Sequence, residues 1–240
     1  MKIIYEPRGA ALEYSPLAVN IYKGCLHGCK YCYVPKCLRT TPESFHATVS
    51  ERKGVLDLLK RDCEYMRSVS DTREVLLCFT TDPYQPSDNI LTRQSLEIFD
   101  YYKIRIQILT KGGMRAARDF DLMKKNDWKF ATTLLFCKES SRKEFEPNAA
   151  SISDRVSAIK EAHELGIQTW VSVEPVIYPD EALYIINKLF PYVDFWKVGK
   201  INHNPELERG ADWKSFAESV KKMIPAEKLL IKNALRKYLS

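Results

Sequence analysis

The chain has 240 residues, a formal net charge of +6 and 45% hydrophobic residues. That length is sufficient for one large core, and no apolar run reaches the roughly 20 residues that a membrane-spanning helix needs. The seven cysteines are an odd number at uneven spacing, which argues against a secreted disulfide framework. Because the amino-terminal sequence also lacks the apolar stretch of a signal peptide, we expect a cytoplasmic protein. The mild positive charge permits a nucleic acid as partner without requiring one.

Strand and helix patterns alternate along the chain. An apolar run predicts a first strand over residues 17–22, and the periodicity predicts further strands over 74–79, 104–109, 129–136, 167–173 and 195–198, with a short run at 229–231. The predicted helices cover 55–66, 91–102, 115–125, 153–165, 180–190 and 213–223. Repeated strand–helix units favour parallel pairing with right-handed crossovers, so six units predict a partial (β/α)6 TIM-like barrel of the α/β class. Because no linker interrupts the pattern, residues 1–240 are predicted to form a single domain.

A cysteine-rich segment after the first strand is the strongest functional signal. Cys25, Cys29 and Cys32 lie within eight residues. Cysteine thiolates hold iron–sulfur clusters, and a four-iron cluster normally takes four of them. Three ligands leave one iron free for a substrate or cofactor, as a catalytic zinc keeps one open position. The alternative is a zinc site completed by Cys37 or His27, although structural zinc sites usually pair two short ligand hooks across a longer segment.

The spacing Cys-x3-Cys-x2-Cys, with Tyr31 before the last cysteine, resembles the radical S-adenosylmethionine (SAM) superfamily. The resemblance implies a 4Fe–4S cluster on Cys25, Cys29 and Cys32, with SAM bound through its amino and carboxylate groups at the fourth iron. It also implies reductive cleavage of SAM, driven by an external one-electron donor of the flavodoxin or ferredoxin type. The resemblance covers about residues 17–198, and we expect the extension over 199–240 to shape substrate access.

Residues 80–86, Thr-Thr-Asp-Pro-Tyr-Gln-Pro, are similar to the spore photoproduct lyase-like (DNA repair photolyase-related) branch of that superfamily. This resemblance implies that Thr81 and Asp82 bind the SAM amino group, whereas a turn rich in Asp and Pro is also ordinary loop chemistry. It also implies further SAM contacts by Tyr31, by Lys111 and by one of the two threonines Thr132 and Thr133. Glu174, at another strand end, can contact either SAM or the substrate. Taken alone, a threonine at such a position is simply a favourable strand residue.

One position departs from this branch. In the photoproduct-repair enzymes a cysteine that returns a hydrogen atom to the substrate stands where this chain has Thr80. Cys78 shares a strand face with Thr80 if strand alternation holds, and Cys137 lies near the end of the fourth predicted strand, so both are candidate hydrogen donors. A buried strand cysteine is more often a small hydrophobic residue. Repair of thymine photoproducts is therefore not supported.

The sequence thus predicts a radical SAM enzyme, of lyase or transferase type, that abstracts a hydrogen atom from its substrate. The sequence does not identify that substrate. Two alternatives stay open. One is a nucleic-acid repair or modification enzyme of the spore photoproduct lyase type. The other is a zinc or iron–sulfur interaction module without turnover.

Overall fold

The computed structural model describes residues 2–202 and 204–239. In this part of the chain the strands are β1 Leu17–Val19, β2 Tyr22–Lys23, β3 Ser50–Glu51, β4 Val75–Leu77, β5 Ile106–Thr110, β6 Lys129–Thr133, β7 Thr169–Val176, β8 Phe195–Lys200 and β9 Leu229–Ile231. The α-helices are α1 Val34–Leu38, α2 Pro42–Ala47, α3 Val55–Ser68, α4 Ile90–Tyr102, α5 Phe120–Lys125, α6 Glu139–Phe145, α7 Ile152–Glu164, α8 Pro179–Leu189, α9 Pro205–Arg209, α10 Trp213–Met223 and α11 Asn233–Arg236.

A parallel sheet with the strand order β1-β4-β5-β6-β7-β8-β9 curls into a half-barrel, which confirms the predicted α/β partial barrel. The six predicted strands are all present, and β9 adds a seventh from the segment predicted as an extension. Five of the six predicted helices lie close to their expected bounds. The exception is 115–125, where a 3-10 helix over Gly113–Asp119 precedes α5. The strands β2 and β3 form a separate antiparallel pair beyond β1.

Apolar side chains form two layers, one on each face of the curled sheet. The outer core fills the space between the sheet and its helices and holds most of the buried apolar residues. The inner layer, which we call the lumen cluster, consists of Ala18, Leu76, Ala131 and Trp170, with Tyr14, Phe79, Leu109 and Phe195 packed against it. Side chains alternate between the two faces along each strand. Consequently, position within a strand determines whether a residue faces the lumen.

The residues before β1 cover the open side of the half-barrel. Tyr5 pairs with Ala18 through two backbone hydrogen bonds of 3.0 and 2.9 Å, which covers the free edge of β1. A 3-10 helix over Gly9–Glu13 then contacts the residues that follow β9. Lys232 Nζ donates to the carbonyl oxygen of Ala10 at 2.5 Å. Among the described residues, no helix is long and apolar enough to cross a bilayer.

Candidate functional site

The cysteine loop, residues 24–33, joins β2 to α1 beyond the carboxyl end of β1. Cys25, Cys29 and Cys32 are half-buried in it, and none of them forms a disulfide. Gly24 begins the loop with a φ of +77°, and a Cβ atom there would lie 2.0 Å from a backbone carbonyl oxygen. Only glycine fits this position without strain. The local backbone therefore brings all three thiols onto one tightly turned loop.

Three cysteine thiols on one loop are a donor set that fits an iron–sulfur cluster. Burial raises the pKa of Cys29 to about 12 and raises the pKa of Cys25 well above its ordinary value. Thiols in such surroundings give up their protons when a metal cation takes the place of the proton. Within the described ranges, no three His, Cys, Asp or Glu side chains are grouped to hold a single metal ion. A cluster does not require such a group, because each thiolate binds a different iron.

The segment after β4 contacts the cysteine loop at two points. Leu26 N donates to Oε1 of the buried Gln85 at 2.7 Å, and Gln85 Nε2 donates to Thr81 Oγ1 at 3.1 Å. His27 Nε2 lies 3.2 Å from Oδ2 of Asp82, and both side chains are buried. Burial acts to raise the pKa of Asp82, but His27 and hydrogen bonds from the end of β5 hold it well below its usual range. Two residues predicted to bind SAM thus lie beside the cysteine loop.

The segment after α6 contacts the loop from the other side. Lys30 N donates to the carbonyl oxygen of Phe145 at 2.9 Å, and Asn148 Nδ2 donates to that of Leu26 at 2.9 Å. His27 Nδ1 lies 3.3 Å from the carbonyl oxygen of Asn148. The His27 ring therefore lies between Asn148, at hydrogen-bond distance, and Asp82, at ion-pair distance, and the loop is held from two sides. Spacing alone does not reveal this, because the contacts join residues more than a hundred positions apart.

Tyr31 and Lys111, both predicted to bind SAM, come together beneath the cysteine loop. The hydroxyl of Tyr31 donates to Glu146, which forms a buried ion pair of 2.5 Å with Arg155. Lys111 Nζ lies 5.7 Å from the centre of the Tyr31 ring. Burial acts to lower the pKa of Lys111, but the nearby Cys29 and Glu146 raise it above the ordinary value. The lysine therefore stays charged next to the three thiols.

The structure distinguishes the two threonines at the end of β6. Thr132 Oγ1 donates to the carbonyl oxygen of Thr110 at 2.9 Å, so its hydroxyl is already bonded. Thr133 shares its strand face with Ala131 of the lumen cluster. Within the described residues, no hydrogen bond involves the Thr133 hydroxyl. Of the pair, Thr133 is the residue available to a ligand in the lumen.

Glu174 belongs to a polar group in the lumen that sequence patterns do not reveal. The hydroxyl of Tyr14 donates to Glu174 and lies 2.8 Å from Ser172 Oγ. Lys232 Nζ lies 3.7 Å from Glu174 Oε2 and 4.3 Å from the centre of the Tyr14 ring. Burial raises the pKa of Glu174 against the opposing effect of Lys232. Tyr14 precedes the first strand and Lys232 follows the last, so no motif links them to Glu174.

The two candidate hydrogen donors lie outside the lumen cluster. Cys78 is buried in the outer core, and it is Phe79 that packs against the lumen cluster. The expectation that Cys78 and Thr80 share a strand face assumed that strand alternation continues to Thr80, whereas β4 ends at Leu77. Cys137 lines a groove between α7 and α8 on the helical side of the sheet. The catalytic roles of both thiols stay predictions that this placement does not favour.

The family model of the radical SAM superfamily matches residues 19–183. An uncharacterised protein of Methanocaldococcus jannaschii is 30% identical over 210 residues, which is 83% of this chain and 74% of that protein. An uncharacterised protein of Acidianus two-tailed virus is 24% identical over 172 residues, 68% of this chain and 57% of that protein.

Solved structures share the fold at low sequence identity. A spore photoproduct lyase variant with bound AdoMet and dinucleoside spore photoproduct matches with a TM-score of 0.66 at 14% identity, over 93% of this chain and 64% of that chain. A second variant of that lyase matches with a TM-score of 0.72 at 13% identity, over 95% and 78%. SuiB of Streptococcus suis bound to S-adenosylmethionine matches with a TM-score of 0.68 at 10% identity, over 92% and 51%. The chain thus spans about half to four-fifths of these structures.

Proposed function

The chain belongs to the radical SAM superfamily and is an enzyme of that class, and we propose that it binds a 4Fe–4S cluster, cleaves SAM reductively and abstracts a hydrogen atom from its substrate. Membership of this superfamily argues against the alternative of an interaction module without turnover. Whether the reaction is that of a lyase or a transferase is left open.

One observation carries the proposal: three thiols stand on one docked loop, and among the described residues no three His, Cys, Asp or Glu side chains are grouped to hold a single metal ion. The histidines beside the loop face other protein groups: the ring nitrogens of His27 face Asp82 and Asn148, and His46 Nδ1 lies 2.7 Å from the Cys25 carbonyl oxygen. Cys37 is exposed on α1. A cluster held by Cys25, Cys29 and Cys32 would therefore keep one iron open for SAM.

When bound, the cluster and SAM supply the one-electron cleavage and the hydrogen abstraction, and the protein holds and orients the reacting groups. Thr81, Lys111 and Thr133 are the residues we propose for SAM, because they lie at the carboxyl ends of neighbouring strands. The charged Lys111 suits the SAM carboxylate, and the unbonded Thr133 hydroxyl suits a polar group in the lumen. Glu174 would contact SAM or the substrate.

Anaerobic reconstitution tests the proposal. Protein purified without oxygen should bind about four irons and four sulfides per chain. After reduction with dithionite it should convert SAM to 5′-deoxyadenosine. Cys32→Ser should abolish both properties, whereas the matched control Cys37→Ser should retain them. A colourless protein that binds zinc and leaves SAM intact would refute the proposal.

The proposal includes a cytoplasmic location and an external electron donor. A reducing compartment keeps cysteine thiols free, as the cluster requires. Reduced flavodoxin or ferredoxin should replace dithionite in the SAM cleavage assay. If neither protein supports cleavage while dithionite does, a donor of another class is required.

A nucleic acid is a second candidate substrate. The chain carries a net charge of +6, and a spore photoproduct lyase of the same fold was solved with a dinucleoside lesion. Binding to labelled single-stranded and duplex DNA should then weaken steeply as the salt concentration rises. Affinity that is weak at low salt and independent of salt would exclude this substrate class.

A further inference from the structure

The carboxylate of Asp82 already accepts three hydrogen bonds from the protein. Oδ1 accepts hydrogen bonds from Thr110 Oγ1 at 2.6 Å and from Tyr84 N at 2.8 Å, and Oδ2 accepts one from Lys111 N at 2.7 Å. His27 Nε2 lies 3.2 Å from Oδ2, an ion-pair distance. Because a carboxylate provides about four lone-pair sites, most of the bonding capacity of Asp82 is used within the protein.

The partners of Asp82 come from three different segments. Tyr84 belongs to the turn after β4, Thr110 and Lys111 stand at the end of β5, and His27 lies in the cysteine loop between two predicted cluster ligands. Asp82 therefore connects the loop that carries the thiols to the strand ends that carry the residues proposed for SAM.

Gln85 makes a second connection of the same kind. Its Oε1 accepts from Leu26 N at 2.7 Å, and its Nε2 lies within hydrogen-bond distance of Thr81 Oγ1 at 3.1 Å and of the Gly24 carbonyl oxygen at 3.5 Å. The side chain is fully buried. A buried amide with these three partners fixes the loop backbone relative to Thr81.

We propose that Asp82 and Gln85 are positioning residues that dock the cysteine loop onto the ends of β4 and β5. This inference rests on the proposed cluster site. Residues that orient the ligands of a metal site typically change metal affinity or activity by about 10- to 100-fold when they are replaced. The docking would set the distance between the open iron and Lys111, so its loss would impair cluster retention before SAM is added.

The first test measures the cluster without SAM. The reconstituted protein is mixed anaerobically with an iron chelator, and the rate of iron release is followed by absorbance. We expect Asp82→Asn, Gln85→Met and His27→Leu to release iron at least about tenfold faster than the unmodified chain. His27→Gln should restore part of the retention, because its amide can reach Asp82. His163→Gln, which changes a histidine on α7, is the matched control and should release iron at the original rate.

The second test separates positioning from direct SAM binding. Thr133→Val, which removes a hydroxyl proposed to bind SAM that takes no part in the docking, should weaken the SAM-induced change in the EPR spectrum of the reduced cluster while iron release stays slow. If Asp82 instead binds SAM directly, Asp82→Asn will behave like Thr133→Val and His27→Leu will leave both measurements unchanged. That pattern would overturn the inference.

A third measurement needs no cluster and no correctly assembled active site. Hydrogen exchange of the peptide covering residues 24–33 in metal-free protein should speed up in Gln85→Met, because the Leu26 amide loses its acceptor. Unchanged exchange would contradict the docking role even if the variant failed to take up iron. If the unmodified chain binds no iron, the proposed function fails, whereas normal iron release from all three docking variants removes only this inference.

Discussion

Arg155→Met should strongly destabilise the fold. Arg155 and Glu146 have side-chain exposures of 1% and 0%, and their ion pair measures 2.5 Å. The guanidinium also donates to the carbonyl oxygens of Thr133 at 2.8 Å and Ala150 at 3.0 Å. Methionine fills most of the volume but leaves a buried carboxylate without its counter-ion. Breaking a buried pair in this way costs about 3–5 kcal/mol of unfolding free energy, a large part of the total of a typical domain.

Urea denaturation of the metal-free protein, followed by tryptophan fluorescence, measures this loss. The control is Arg73→Met, because the Arg73 side chain is 46% exposed and its ion pairs should contribute about 1 kcal/mol or less. Glu146→Met combined with Arg155→Met should recover part of the stability, since the buried carboxylate that lost its ion-pair partner is then removed. A loss below about 1 kcal/mol for Arg155→Met, or a double variant no better than the single one, would refute the reasoning.

Three further predictions concern other parts of the barrel. Burial lowers the pKa of Lys197 from 10.5 to about 7, so between those values the unfolded chain binds more protons and stability rises with pH. In Lys197→Met the rise in the free energy of unfolding with pH, measured by denaturation at several pH values, should be smaller by up to about 1.4 kcal/mol per pH unit. The same pH dependence in both proteins would contradict this prediction. Gly24→Ala should reduce the free energy of unfolding more than the control Gly54→Ala. Both glycines have a positive φ, but only at Gly24 would the added Cβ meet a backbone atom, Thr48 O at 2.0 Å. Equal losses would exclude the steric argument. Thr133→Val should weaken SAM binding in equilibrium dialysis, while Thr132→Val should affect mainly stability, and the reverse order would exchange their roles.

Periodicity was sufficient to predict the barrel, because each strand–helix unit buries a continuous apolar run. It also placed the cysteine triplet at the end of β1, where the chemistry of a parallel barrel is expected. The alternation rule failed at Cys78, just beyond the end of a three-residue strand. Short strands leave little regular backbone from which a side-chain direction can be extrapolated.

The long-range contacts that hold the site together could not be predicted from the sequence alone. Asn148 docks against Leu26 from 122 positions away, and Lys232 meets Ala10 across 222 positions. Such pairs leave no local sequence pattern, because a polar residue in a turn looks the same whether or not it contacts a distant residue in the fold. For the same reason the hydrogen bonds from Tyr84, Thr110 and Lys111 to Asp82 could not be predicted from the sequence.

Tyr14 and Lys232 lie outside the stretch matched by the family model, residues 19–183, yet they share one polar group with Glu174 inside that stretch. A chimera that exchanges 9–15 and 229–236 with those of a relative would therefore reshape one wall of the interior without touching the thiols, Thr81 or Lys111. The two kinds of residue, one inside the matched stretch and one outside it, are adjacent in space but far apart in the sequence. Libraries confined to residues 9–15 and 229–236 would vary this wall while the three cysteines, Thr81 and Lys111 stay unchanged.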